Sequence, residues 1–270
     1  MKVWPSTQSR TARARDASGL EHITSEGFLE RAASFAERWD LEWLRYFRIH
    51  ENHDYFTSYR APAYPFPITK DEVSRFDAHQ SLNTRLDPEW KHTKLQIFVP
   101  GSELVDKRVF ELGCGVGMLG RILGHVAKGY VGCDYSPFAI YAARLLSPSN
   151  CEYVPLKDPG RLVELAGSFD TCVPRHFFIH NNFDNALWVL RLMRDLVHEQ
   201  GVIHADFLWS EELNDGIRPA KSELHPTAAS AGFVYTPADI EELADLVGLS
   251  VRSMDRVDVP PRTFVSFTVV

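Results

Sequence analysis

The chain reads as an α/β protein built on a mostly parallel sheet, covered by helices on both faces and closed by an antiparallel strand, with a helical and loop-rich segment in front. Three observations carry this. From residue 107 onward, short apolar segments of strand length alternate with stretches of helical period, the pattern of a sheet whose parallel returns need crossovers. The first of these strands runs straight into glycines at alternate positions, Gly113, Gly115 and Gly117. The chain ends on two consecutive apolar segments separated only by Pro260-Pro261, and so short a turn permits antiparallel pairing alone.

Taken in order, residues 1–20 read as a disordered tail, rich in Arg, Ser and Thr between positions 6 and 18. Residues 21–104 read as a cap or lid. Within 25–46, Phe28, Leu29, Ala32, Phe35, Ala36, Trp39, Trp43 and Leu44 recur near a helical period, which predicts one or two amphipathic helices. Residues 49–67 mix His50, His53, Tyr55, Phe56, Tyr59, Tyr64 and Phe66 with three prolines, the composition of an ordered aromatic loop. Residues 89–98 read as helix, ending before Pro100-Gly101.

Residues 105–270 form the expected core. Strands are predicted at 108–112, 129–133, 151–155, 169–173 and 202–207, with the closing pair at 249–259 and 263–270. Helices are predicted at 118–127, 137–146, 183–198 and 237–247, the third of them stopped by Gly201 acting as a C-cap.

A chain of 270 residues can bury a substantial core, and 44% hydrophobic with 24% charged residues is ordinary for a globular protein. A formal charge of −7 argues against a nucleic-acid or anionic-membrane surface and leaves a small molecule as the expected partner. Cys114, Cys133, Cys151 and Cys172 lack C-x-x-C spacing, so reduced thiols in a cytoplasmic protein are expected rather than zinc or a disulfide framework. No apolar run approaches the length of a membrane span or a secretory signal. Oligomeric state is not legible.

The glycine turn is the strongest chemical signal. Glycines let the backbone bend sharply after a strand and approach a ligand without a β-carbon in the way. Gly115, Gly117 and Gly120 also satisfy the dinucleotide pattern G-x-G-x-x-G, and an acid such as Asp134 after the second strand suits ribose hydroxyls in either setting. Glu111 separates the two readings, because a carboxylate just before the glycines favours a cationic ligand and repels a pyrophosphate. The terminal hairpin points the same way.

The segment 109–117 resembles motif I of the class I S-adenosylmethionine (SAM)-dependent methyltransferases, residues 132–136 resemble the acidic end of that family's second strand, and 168–170 the start of its fourth. The resemblance spans roughly residues 105–270. It implies a doubly wound, seven-stranded sheet with an antiparallel last strand, SAM as cofactor and S-adenosylhomocysteine as product. It implies further that Gly113, Cys114, Gly115, Gly117 and Met118 line the methionine and ribose, with Glu111 near the amino group. Asp134 would hold the ribose hydroxyls and Tyr135 would lie against the adenine. Asp158 occupies about the place of the family's adenine-facing acid, although Leu156-Lys157-Asp158-Pro159 replaces the usual glycine-acid pair.

Open α/β sheets bind ligands at the carboxyl ends of their strands, so residues 174–182 should face the reacting centre. Pro174 and Arg175 are expected beside the cofactor, and His180, then His176, are the candidate bases for a hydroxyl acceptor. His204 is a further candidate. His204 with Asp206, and His50 with His53, have loose metal-like spacing, yet neither makes a cluster, so no metal is expected. The aromatic segment 46–64 and the Trp209 loop are expected to cover the cofactor, and Trp90-Lys91 to approach it. The functional expectation is methyl transfer to oxygen or nitrogen of a small molecule by in-line displacement. Methylation of an RNA base, or a SAM-binding protein that transfers no methyl group, are the alternatives.

Overall fold

The computed structural model describes residues 26–49, 99, 101–213, 216–222, 232–257 and 261–270. The aromatic loop at 50–67, His50, His53, the helix expected at 89–98 and Trp90-Lys91 lie outside the described residues, as does the tail at 1–20.

A single mixed sheet organises the chain. Its central strands are β1 (Arg108–Leu112), β2 (Gly129–Asp134), β3 (Cys151–Pro155), β4 (Phe169–Cys172) and β5 (Val197–Leu208), all parallel. The C-terminal pair, β8 (Leu249–Val257) and β9 (Arg262–Val269), is antiparallel within itself, and β9 runs antiparallel to β5. These seven strands stand in the order β3-β2-β1-β4-β5-β9-β8. Two three-residue strands, β6 (Ile217–Pro219) and β7 (Gly232–Val234), extend the sheet beyond seven, with β7 joining the last residue of β5 through Leu208 and Val234. They are too short to show a hydrophobic period, which is why the sequence does not announce them.

The helices are α1 (Glu26–Ile49), α2 (Met118–Leu123), α3 (Pro137–Leu146), α4 (Pro159–Glu164), α5 (Phe183–Leu196) and α6 (Pro237–Val247). Their starts are written locally. Ser136 accepts the Ala139 N–H ahead of Pro137, Asn182 accepts the Asn185 N–H, and Thr236 with Asp239 forms a reciprocal capping box. The end of α5 departs from expectation: the helix stops at Leu196, Val197 turns extended, and Gly201 lies inside β5 rather than capping the helix. Gly201 is needed there for close approach, since a β-carbon would come within 2.9 Å of the Val197 side chain and 3.0 Å of the Phe169 carbonyl.

Alternation along the strands divides the core between the two faces. Phe110, Leu112, Cys172, Ile203 and Phe207 pack with α5 and α6, where Val189, Leu190, Met193, Ile240 and Leu243 are fully buried. Val109, Tyr130, Tyr153 and Val173 pack on the other side with Leu119 and Leu123 of α2. Each such side chain contributes about 1.5–3 kcal/mol of burial. Helix α1 joins the first face: Phe28, Ala32 and Phe35 are buried beside Trp188 of α5 and Tyr135, and the same stripe continues through Trp39 and Trp43 to the carboxyl end of β1.

Candidate functional site

The turn after β1 is built by backbone geometry that only glycine adopts cheaply. Gly113, Gly115 and Gly117 have φ of 75°, 52° and 78°. Gly113 and Cys114 both donate to the Cys133 carbonyl, at 2.7 and 3.0 Å, and Gly117 donates to the Cys114 carbonyl at 3.0 Å. The Gly115 N–H donates to Asp134 Oδ2 at 2.9 Å, and Asp134 Oδ1 accepts the Ser136 N–H at 2.9 Å. Asp134 therefore ties the end of β2 to the turn and to the start of α3. Burial pushes its carboxyl up to about 6, against the pull of these N–H groups.

A cavity of about 170 Å³ opens above this turn. Its floor is Gly113, Cys114, Gly115, Val116 and Met118, and one side is Asp134 with Tyr135. Trp39 and Trp43 of α1, with Arg175, His176, Phe177 and His180 following β4, complete the lining. The fit is close: a β-carbon at Gly113 would stand 2.5 Å from the Phe177 ring, and one at Gly115 would stand 2.8 Å from the Trp43 indole. Asp40, one turn before Trp43, accepts hydrogen bonds from the Ser136 hydroxyl and, at 3.0 Å, from the Phe138 N–H, which fixes α1 to the start of α3.

Glu111 lies beneath the turn rather than on the cavity wall and is completely buried. Tyr130 donates its hydroxyl to Oε2, while Oε1 has no hydrogen bond and stands 3.8 Å from Arg175 Nε. Burial drives this carboxyl up to about 7, with Arg175 and Tyr130 pulling back and Asp134 adding to the rise. A buried carboxylate with an unsatisfied oxygen beside a guanidinium that lines the cavity makes a charge-paired corner next to the glycine turn.

Of the residues singled out from the sequence, Gly113, Cys114, Gly115, Met118, Asp134, Tyr135, Arg175, His176 and His180 come together around the cavity. Gly117 shapes the turn from behind, against the Tyr153 hydroxyl. Pro174 is buried off the cavity, and Asp158 is exposed, where it caps α4 by accepting the Arg161 N–H. Tyr135 is buried between the rings of Phe177 and Trp188, and its hydroxyl accepts from Asn185 Nδ2 at 3.1 Å. Trp209 donates to the Val257 carbonyl and lies under Arg256, on the β8 side. His204 hydrogen-bonds Glu103 and Ser266 away from the cavity, so it and Asp206, though on one face of β5, serve different networks.

Trp39 and Trp43 are site residues that the sequence placed only in a helical stripe, and Asp40 is one that it did not single out. Their period was visible; that the stripe ends over the glycine turn depends on how α1 crosses α3, which no local signal encodes.

No family model matches the chain, and no curated protein matches it. Among solved structures, the DhpI–SAH complex aligns over 91% of this chain and 98% of its own, at 17% identity and a TM-score of 0.48. Magnesium protoporphyrin IX methyltransferase from Synechocystis PCC 6803, with bound SAM, aligns over 63% of this chain and 73% of its own, at 18% identity and a TM-score of 0.45. A SAM-dependent methyltransferase from Anabaena variabilis aligns over 60% and 77%, at 17% identity and a TM-score of 0.46.

Proposed function

We propose that the chain is a SAM-dependent methyltransferase transferring a methyl group to oxygen or nitrogen of a small molecule. The observation that carries this reading is the charge-paired corner beside the turn: Arg175 lines the cavity, where it would meet the carboxylate of an α-amino acid, and the buried Glu111 oxygen 3.8 Å behind it would favour a cationic ammonium nearby. A pyrophosphate has no use for a buried carboxylate at that point.

The residues fit the cofactor's other parts. Gly113 and Gly115, where a β-carbon has no room, let the ligand approach the backbone closely. Asp134 would accept from ribose hydroxyls, and Tyr135 would bound the adenine side. SAM supplies an electrophilic methyl on a sulfonium; the protein's part is to hold acceptor, methyl and sulfur in line and to exclude water. Trp39 and Trp43 supply aromatic surface for that exclusion, and an indole π-face turned to the cofactor would attract its cationic sulfur. His180 and His176, which line the same cavity, would be the imidazoles near the acceptor.

Calorimetry with SAM and with NAD tests the cofactor assignment. SAM should bind, and Asp134→Ala should weaken it at least about tenfold, the loss of one charge-assisted hydrogen bond. Preference for NAD overturns the reading. Incubation with labelled SAM and candidate acceptors then reads methyl transfer as S-adenosylhomocysteine formed; SAM retained without product from any acceptor favours a non-methylating role.

A further inference from the structure

Behind His176, which lines the cavity, one carboxylate gathers groups from two other segments. Asp206 on β5 is buried, and its Oδ1 accepts the backbone N–H of His176 at 2.7 Å. Its Oδ2 stands 3.6 Å from His176 Nδ1 and 3.2 Å from Nε of Arg262, the first residue of β9. Register explains the meeting: Asp206 precedes Leu208 by two on the same face of β5, and Leu208 pairs with Arg262. His176 carries the other unusual feature, a φ of 51°. Non-glycine residues persist there only when the surroundings over-determine them, and such strain gathers at functional sites.

We infer that His176 is the base that deprotonates a hydroxyl acceptor, and that Asp206, anchored by Arg262, is the positioning residue that aims and charges-balances its imidazole. This rests on the methyl-transfer reading above and narrows its acceptor to hydroxyl compounds. A neutral amine attacks through its own lone pair, whereas a phenol or alcohol is a competent nucleophile only as its proton leaves. The hydroxyl proton passes to an imidazole nitrogen of His176 as the oxygen–methyl bond forms. The sulfur–methyl bond breaks in the same step, its electron pair stays on sulfur as a neutral thioether, and the imidazolium afterwards returns the proton to solvent. His180 is in edge contact with the Trp39 ring at 5.3 Å; among the described residues, His176 is the cavity histidine seen beside a buried carboxylate.

The test exploits the backbone. Glycine suits a φ of 51° better than histidine, so His176→Gly keeps the fold and removes the imidazole. With labelled SAM and a set of phenols, catechol and 4-hydroxybenzoate among them, wild type should methylate at least one. His176→Gly should lower that rate about 100-fold or more, bind SAM as wild type does by calorimetry, and regain turnover on addition of free imidazole. Asp206→Asn retains an acceptor for the His176 N–H and should lower kcat about tenfold with KM for SAM unchanged. Phenol methylation by His176→Gly at the wild-type rate, lack of imidazole rescue, or turnover of anilines with no phenol accepted overturns the inference while leaving SAM binding intact. Acceptance of neither class overturns the hydroxyl assignment, and wild type that fails to bind SAM overturns the cofactor reading itself and this inference with it.

Discussion

The Gly115 N–H donates to the Asp134 carboxylate at 2.9 Å, so the acid ending β2 and the turn ending β1 form one unit. The same carboxylate accepts the Ser136 N–H that opens α3. Asp134→Ala therefore removes an acceptor from two buried N–H groups, at about 1–3 kcal/mol for each one stranded. Asp134→Asn keeps one acceptor oxygen and should cost less. Urea unfolding of the two variants beside wild type reads the difference; equal stability of Asp134→Ala and wild type would remove Asp134 from the architecture of the turn.

Glu111 makes stability depend on pH in an uncommon direction. Burial lifts its carboxyl from an ordinary 4.5 to about 7, so the folded state holds the proton more tightly than the unfolded one. The contribution is complete below pH 4.5 and is lost as pH rises through 7, an amount of about 3 kcal/mol at 1.36 kcal/mol per unit. Asp134, raised to about 6, has the same sign. The ligand-free protein should lose stability between about pH 4.5 and pH 7, and Glu111→Gln should flatten that slope. A cationic group bound near Glu111 should favour its ionised form and release a proton near pH 7, visible as a dependence of calorimetric binding heat on the buffer's ionisation enthalpy.

What the sequence discloses is what is encoded within a few residues. The strand–glycine–helix order, the caps at Ser136 and Thr236 and the antiparallel end were readable because turn chemistry and period are local. The helix boundary at Leu196 was not: Val197–Gln200 continues an apolar and polar sequence compatible with either state, and pairing of Val197 with Phe169 decides for strand. The same limit holds at the site. His204 and Asp206 are visibly on one face, but one meets Glu103, about a hundred positions away, and the other meets His176 and Arg262. Such partners are created by sheet order and register, which a single chain does not display.

The turn should also show which glycines are required by contact and which by conformation alone. A β-carbon at Gly117 would stand 2.5 Å from the Tyr153 hydroxyl and 2.8 Å from Ser147 Oγ, two groups that hydrogen-bond each other at 2.6 Å. Gly248, at the end of α6, has a similar φ of 70° with nothing within 4 Å of the same position. Gly248→Ala should cost about 1 kcal/mol, the left-handed conformation alone. Gly117→Ala adds overpacking of a buried pair and should cost about 2–4 kcal/mol. Denaturant midpoints with an unchanged m-value give the comparison, and equal costs would show that the Tyr153–Ser147 pair yields freely.

Far from the cavity, Glu103 ties the segment before β1 to the last strands. Its carboxylate meets His204 Nε2 at 2.5 Å and Arg252 at 2.9 Å, while His204 Nδ1 and the Ser266 hydroxyl are 2.8 Å apart across the β5–β9 pair. The His204 hydrogen bond, followed by the charges of His204 and Arg252, outweighs burial and holds the Glu103 carboxyl below its usual range. A depressed acid contributes stability that is present above its unfolded pKa and lost on acidification, opposite in sign to Glu111. Glu103→Ala strands His204, which is only 6% exposed, and should lower stability at pH 7 by about 1–3 kcal/mol. Arg252 is half exposed, so Arg252→Ala should cost under about 1 kcal/mol. The gap between wild type and Glu103→Ala should narrow as pH falls below the carboxylate range; a gap independent of pH would mean that Glu103 acts through packing rather than through its charge.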